Sequence, residues 1–126
     1  MLIGFRVRNF RSFGEDQTLT FEATETTPQS KRRIHTADGD YYKLMAVYGP
    51  NAGGKSNLVR AITAFKYLVM RSAKEYTQGD LLPAEPFLLD HQLRTQPTSF
   101  EVEFSYQDCR YNYQFSIDRK KILNEK

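Results

Sequence analysis

The chain has 126 residues, of which 40% are apolar and 26% charged, and its formal net charge is +3. This length excludes two full domains, and this balance excludes an intrinsically disordered chain. No apolar run approaches the roughly 20 residues of a membrane-spanning helix, and early charge at Arg6 excludes a signal peptide. One cysteine, Cys109, excludes an internal disulfide. We therefore expect a cytoplasmic protein without a membrane partner.

Basic residues are concentrated in the middle of the chain. Residues 41–80 carry six basic and two acidic side chains, whereas the segments on either side are close to balanced. A local excess of this kind suits a small polyanion such as a nucleotide, and it does not require nucleic acid.

Alternating apolar and polar residues predict a β-hairpin at the start of the chain. Ile3, Phe5 and Val7 alternate with polar residues, and residues 18–23 alternate again after an acidic turn. Two such segments joined by a short turn are typical of paired strands. Residues 24–40 are polar and rich in threonine, and they predict a loop.

The next two segments predict a strand followed by a helix. Residues 44–48 form a continuous apolar run, which is typical of a strand covered on both faces. After the glycines that follow, apolar residues recur at helical spacing and predict an amphipathic helix over about residues 55–73. Its apolar face consists of Leu58, Ala61, Ile62, Phe65, Leu68 and Val69.

The remainder predicts an irregular segment and a second hairpin. Residues 79–98 contain three prolines and are expected to be irregular. Residues 100–106 and 111–117 alternate as two strands around a turn at 107–110. The predicted fold class is therefore α/β, with antiparallel β-hairpins beside a strand–helix unit.

Residues 49–56 match the phosphate-binding pattern G-x-x-x-x-G-K-[ST] at every fixed position. Glycines let successive backbone N–H groups surround phosphate oxygens, and the following helix directs its N-terminus at them. Lys55 is the predicted catalytic residue because its ammonium would contact the β- and γ-phosphates. The hydroxyl of Ser56 is the predicted ligand of Mg²⁺. The predicted strand before the motif and the predicted helix after it are the context that a P-loop requires.

A search for other nucleotide-hydrolysis motifs disfavours one class of protein and leaves two alternatives open. The chain lacks N-K-x-D and D-x-x-G, which disfavours a small GTPase. Asp90 ends the short apolar run 87–89, but Pro86 precedes that run, so Asp90 is predicted to be a loop carboxylate. A complete small kinase-like enzyme with Asp90 near the transferred phosphate stays open, as does a scaffold module that nucleotide holds together.

Two motifs resemble those of the ABC-type ATPases of DNA maintenance. Residues 9–13 read Asn-Phe-Arg-Ser-Phe, and residues 54–57 read Gly-Lys-Ser-Asn. The same pattern is found in the structural-maintenance-of-chromosomes proteins, the RecF recombination ATPase and the overcoming-lysogenization-defect (OLD) nucleases. The chain is most similar to OLD-like AAA family ATPases of bacterial anti-phage systems of the abortive-infection, Septu-associated or retron-associated type.

The resemblance implies a P-loop NTPase fold in which residues 1–126 are the N-terminal lobe of an ABC-type ATPase head. The C-terminal lobe, with its Walker B strand and signature, would lie in a further segment. ATP and Mg²⁺ are the implied cofactors. The implied partners are a second copy of the chain, through its head, and a nuclease or toxin effector, with nucleic acid as a further candidate.

The resemblance also carries binding roles onto residues of this chain. Arg11 and Ser12 would lie near the ribose or the phosphates of the nucleotide. The phosphates would contact the loop and the first helical turn, formed by Asn51, Ala52, Gly53, Gly54, Lys55, Ser56 and Asn57.

Overall fold

The computed structural model describes residues 1–23, 33–75, 81–107 and 109–126, with only the backbone of residues 72–75. In chain order, the elements are β1 (Leu2–Arg8), β2 (Gln17–Thr20), β3 (Arg33–Thr36), β4 (Gly39–Tyr42), α1 (Lys55–Glu75), β5 (Thr98–Tyr106), β6 (Cys109–Ile117) and β7 (Ile122–Glu125). A short 3₁₀ turn spans Leu93–Thr95. The fold is therefore mixed α/β, and the described strands pair only antiparallel.

Five strands form the main sheet in the spatial order β2-β1-β5-β6-β7. Phe5 of β1 pairs with Leu19 of β2 on one side and with Val102 of β5 on the other. Both predicted hairpins are confirmed, because β1 pairs with β2 and β5 pairs with β6 over its whole length. The edge strand β7 extends the sheet beyond β6 and was not predicted.

The core lies between one face of this sheet and α1. Phe65 of α1 stacks on Phe115 of β6, with ring centroids 5.4 Å apart, and meets Phe5 of β1 edge-on at 5.9 Å. Ala61 and Leu68 are fully buried in the same cluster. The predicted helix and its apolar face are thus confirmed, except that Val69 at the end of the face is 45% exposed. No helix in the described ranges is long and apolar enough to cross a membrane.

The prediction of a loop over residues 24–40 was wrong in its second half. Residues 24–32 lie outside the described ranges, but β3 and β4 form a hairpin over 33–42. The hydroxyl of Tyr41 donates to Asp38 in its turn, and the Tyr41 ring is buried. The hairpin also joins the segment after β2, because Tyr42 donates its N–H to the carbonyl of Phe21. Aromatic burial and these backbone bonds outweigh the polar composition of the segment.

The prediction of a buried strand over residues 44–48 was also wrong. Leu44 is 84% exposed, Val47 50% and Tyr48 89%, and none of these residues has strand pairing. A strand needs a neighbouring strand to accept and donate its backbone hydrogen bonds. No strand in the described part of the chain pairs with this segment, so it stays unpaired and largely solvent-accessible.

Candidate nucleotide-binding site

The phosphate-binding motif forms an exposed loop that leads directly into α1. Pro50 accepts a hydrogen bond from the N–H of Gly53 at 3.1 Å, and Gly54 accepts one from the N–H of Asn57 at 2.9 Å. Ala52 and Gly54 have φ values of +63° and +87°, in the left-handed region. The loop thus turns sharply on these residues before α1 begins at Lys55. The first N–H groups of a helix lack acceptors within the helix and suit an anion.

Lys55 directs its ammonium back to the first residues of its own loop. Its Nζ donates to the carbonyl oxygens of Gly49 at 2.7 Å and Pro50 at 2.6 Å. Two neutral carbonyls are weaker partners for an ammonium than an anionic oxygen. The lysine is therefore held against its own loop by partners weaker than a phosphate oxygen would be.

The second motif, residues 9–13, forms a tight turn at the end of β1. Phe10 and Phe13 exchange two backbone hydrogen bonds of 2.8 Å, and Asn9 and Arg11 both have a φ of +52°. The turn packs against the phosphate-binding loop at Gly54. A Cβ at Gly54 would lie 3.2 Å from the ring of Phe13 and 3.4 Å from the hydroxyl of Ser12. The two motifs, about 40 residues apart in sequence, are neighbours in the fold.

Side chains also join the two motifs. Asn57, in the first turn of α1, donates its amide to the hydroxyl of Ser12 at 2.8 Å. Arg60, one helical turn later, approaches the amide oxygen of Asn57 at 3.4 Å. Asn57 therefore faces the N-terminal turn, whereas Ser56 beside it is exposed.

A cleft of about 590 Å³ lies beside this junction. Its described lining includes the guanidinium-bearing side chains of Arg11, Arg60 and Arg119 and a single carboxylate, Glu85. Pro86, Phe87, Leu88 and Leu89 provide an apolar wall. This volume falls within the range of small-molecule sites, and the charge balance favours an anionic ligand with an apolar part.

The turn that carries Arg119 is fixed by Asp118. The carboxylate of Asp118 accepts the backbone N–H groups of Lys120 at 2.6 Å and Lys121 at 2.8 Å. These hydrogen bonds lower the pKa of Asp118 from its ordinary value, because they favour the ionised carboxylate. The turn is thus built on a charged carboxylate and presents Arg119 at the edge of the cleft.

The structure brings together most of the residues predicted for binding. Arg11 and Ser12 line the cleft with Asn57, and the loop residues 51–54 lie at the start of α1. Their contact with a nucleotide stays a prediction. Asp90 lies in the irregular segment after the cleft wall, where its carboxylate accepts the N–H of Gln92 at 2.7 Å. Its interpretation as a loop carboxylate is confirmed.

Three charged residues of the cleft were missed by the sequence analysis, as was its apolar wall. Arg60 could have been found, because it follows Asn57 by one helical turn and helix periodicity places both on one face. Glu85 and Arg119 could not have been found in the same way. They approach the site from segments distant in sequence, and no local pattern reports that contact.

The loop with the P-loop pattern opens a long helix, as a P-loop does, although the strand expected before it is not formed in the described structure. The pattern and the helix together indicate a P-loop nucleotide-binding module. The family model described as "AAA domain, putative AbiEii toxin, Type IV TA system" matches residues 44–126. This match covers more than half of the chain, which therefore belongs to this AAA domain family and is an ATPase-like module. No curated protein and no solved structure matches the chain significantly.

Proposed function

We propose that this chain is the ATP-binding lobe of an ABC-type ATPase of bacterial anti-phage defence, similar to the OLD-like ATPases. One observation carries the proposal: residues 49–56 fulfil the phosphate-binding pattern and open α1 at Lys55, with the N-terminal turn packed against them. The toxin and toxin–antitoxin terms in the family's description favour defence over DNA maintenance.

The residues at the loop fit a magnesium nucleotide. Lys55 has an ammonium whose present partners are two neutral carbonyls, so an anionic phosphate oxygen would be a stronger partner. Ser56 is exposed at the N-terminus of α1, where its hydroxyl would coordinate Mg²⁺. When bound, MgATP would supply the phosphoanhydride bond that the ATPase hydrolyses. Residues 51–57 would hold its phosphates, and Arg11 and Ser12 would approach its ribose or phosphates.

ATP binding would cause two such heads to associate in a homo-oligomer. Association would then gate a nuclease or toxin effector. The exposed segment 44–48 beside the loop supports this proposal, since an apolar surface of this kind favours further protein contacts. On this chain, ATP would therefore act by binding through its phosphates, and the result of binding would be association of two heads.

The proposal is tested by comparing Lys55→Ala with Lys66→Ala in the purified protein. Both variants remove one lysine from α1, but Lys66 is exposed on the helix surface and lies outside the loop. We expect Lys55→Ala to weaken MgATP binding at least about tenfold and to stop ATP-dependent association, because a charge-assisted phosphate contact is lost. Lys66→Ala should behave as the wild type.

Two results would contradict the proposal. Equal MgATP binding by the Lys55→Ala variant and the wild type would remove the phosphate-binding role of the loop. MgATP binding without any change in oligomeric state, measured by light scattering, would remove the role in association. Turnover by this chain alone that is lost in Asp90→Ala but kept in Lys66→Ala would favour a small phosphotransfer enzyme instead.

A further inference from the structure

Arg11 is attached to Glu85 at two points. Its backbone N–H donates to the carbonyl of Glu85 at 2.7 Å, and its Nη2 donates to the carboxylate oxygen Oε1, also at 2.7 Å. The side chains are 31% and 47% exposed, so the ion pair lies at the open side of the cleft. The first contact fixes the backbone of the two segments, and the second occupies the guanidinium.

This arrangement leaves one buried donor of Arg11 without an acceptor. Its Nε is buried and has no hydrogen-bond partner in the described structure. A guanidinium has five donors in a planar fork, and a buried donor without an acceptor is unfavourable. The pair with Glu85 therefore satisfies Arg11 only in part, and an arrangement with more oxygen acceptors would suit it better.

The charge of Glu85 is also opposite to that of the other charged residues in the cleft. It is the one carboxylate among the described residues that line the cleft, whereas Arg11, Arg60 and Arg119 contribute three positive charges. An anionic ligand entering this cleft would be attracted by the arginines and repelled by Glu85. Phosphate oxygens are acceptors of the same kind as the carboxylate, and they can approach a guanidinium in pairs.

We propose that Glu85 is an internal competitor that holds Arg11 until the phosphates of a nucleotide displace it, and that it thereby sets the nucleotide affinity of the site. This inference rests on the proposed function, because it assumes that MgATP is the ligand. In the free protein, Glu85 occupies the guanidinium of Arg11. With MgATP bound, Arg11 contacts phosphate oxygens and the Glu85 carboxylate returns to solvent. Glu85 is a positioning residue that acts through Arg11.

The test compares Glu85→Gln with Asp90→Asn. Each variant removes one negative charge from the same irregular segment, but Asp90 contacts the N–H of Gln92 and not Arg11. The Glu85→Gln variant keeps the size of the side chain and the backbone carbonyl that binds Arg11. We expect Glu85→Gln to bind MgATP about fivefold more tightly, because a half-exposed ion pair no longer competes for Arg11. The affinity of Asp90→Asn for MgATP should stay within about twofold of the wild type.

A second pair of variants shows whether the effect passes through Arg11. In an Arg11→Ala background, Glu85→Gln should no longer change the dissociation constant of MgATP, because the guanidinium for which Glu85 competes is gone. Thermal unfolding of each variant serves as the folding control. Glu85→Ala should tighten binding in the same direction if Glu85→Gln is poorly folded.

Each alternative result overturns the inference. Weaker binding by Glu85→Gln would mean that Glu85 holds Arg11 in its binding position. Equal tightening with and without Arg11 would mean that Glu85 acts only through its charge. If wild-type protein binds MgATP and Glu85→Gln binds it no more tightly, the inference fails while the proposed function stands. If the wild type does not bind MgATP, both fail together.

Discussion

Asn57 donates its side-chain amide to the hydroxyl of Ser12 at 2.8 Å, across 45 positions of the chain. Asn57 directly follows the predicted magnesium ligand Ser56, and Ser12 belongs to the turn that ends β1. The bond therefore connects the main sheet to the start of α1, where the phosphates are predicted to lie. It gives Asn57 a structural role in addition to the binding role predicted for it.

We expect Ser12 and Asn57 to be energetically coupled. Ser12→Ala and Asn57→Ala should each lower the free energy of unfolding by about 1 kcal/mol or less, because the bond is solvent-accessible. The double variant should lose less free energy of unfolding than the two single variants together. The difference is the coupling energy, which we expect to be about 0.5–1 kcal/mol. Urea unfolding of the four proteins measures this cycle, and simple additivity would mean that the bond contributes nothing in solution.

Two glycines of the phosphate-binding motif should respond differently to alanine. Gly54 has a φ of +87°, and a Cβ there would lie 3.2 Å from the ring of Phe13. Gly49 has no atom within 4 Å of its Cβ position. Gly54→Ala should therefore lower the free energy of unfolding by about 1–2 kcal/mol, and Gly49→Ala should change it by less than about 0.5 kcal/mol.

The comparison of these glycines also separates folding from binding. If Gly49→Ala folds normally but binds MgATP weakly, Gly49 is needed for the approach of the phosphates and not for the fold. Equal destabilisation by both substitutions, measured by urea unfolding, would contradict the geometry of the loop.

Local patterns were sufficient for the parts of the fold that alternate or repeat regularly. The period of two in residues 100–106 and 111–117 predicted β5 and β6, and the helical spacing from Leu58 to Leu68 predicted the buried face of α1. The phosphate-binding motif was found for a related reason. Its chemistry depends on residue types at fixed short spacing, which a sequence displays directly.

The errors concern properties that depend on distant parts of the chain. The apolar run 44–48 indicates a strand only if other strands flank it, and the described residues provide none. Conversely, Asp38-Gly39 is a turn signal between two strands, but the polar residues around it concealed the β3–β4 hairpin. The contact of Arg11 with Glu85 joins residues 74 positions apart, and no periodicity reports it.

Asn9 should be the most sensitive polar residue of the N-terminal turn. It is fully buried, and its amide group lies within 2.8 Å of the carbonyl oxygens of both Leu93 and Gln96. Its amide oxygen accepts the N–H of Phe87 at 2.9 Å. Asn9 thus holds the wall of the cleft against β1. We expect Asn9→Ala to lower the free energy of unfolding by about 2–4 kcal/mol, because several buried polar groups lose their partners.

A control and a second variant test this explanation for Asn9. Asn112→Ala removes an exposed asparagine that donates to Glu101, and it should cost less than about 0.5 kcal/mol. Asn9→Asp should be at least as destabilising as Asn9→Ala, because a carboxylate would face carbonyl oxygens instead of donating to them. Urea unfolding measures all three, and a mild effect of Asn9→Asp would exclude the amide as the essential donor.

Tyr113 should make the stability of the fold depend on alkaline pH. Burial raises the pKa of the Tyr113 phenol to about 12, and its hydrogen bond to Glu125 and the charge of that carboxylate add to the effect. The phenol packs against Phe65 of α1, so it is the neutral form that the folded chain favours. Because the folded pKa lies above the ordinary value of 10, the stabilisation is fully present below pH 10 and is lost as the pH rises towards 12.

This prediction is measured with Tyr113→Phe. The difference between the wild-type and variant absorbance titrations should show one phenolate that forms near pH 12, and it separates Tyr113 from Tyr41, whose pKa is also raised by burial. Between pH 10 and pH 12, the free energy of unfolding should fall more steeply in the wild type than in Tyr113→Phe. A difference titration centred near pH 10 would mean that Tyr113 is exposed to water, and that β6 does not present it to α1.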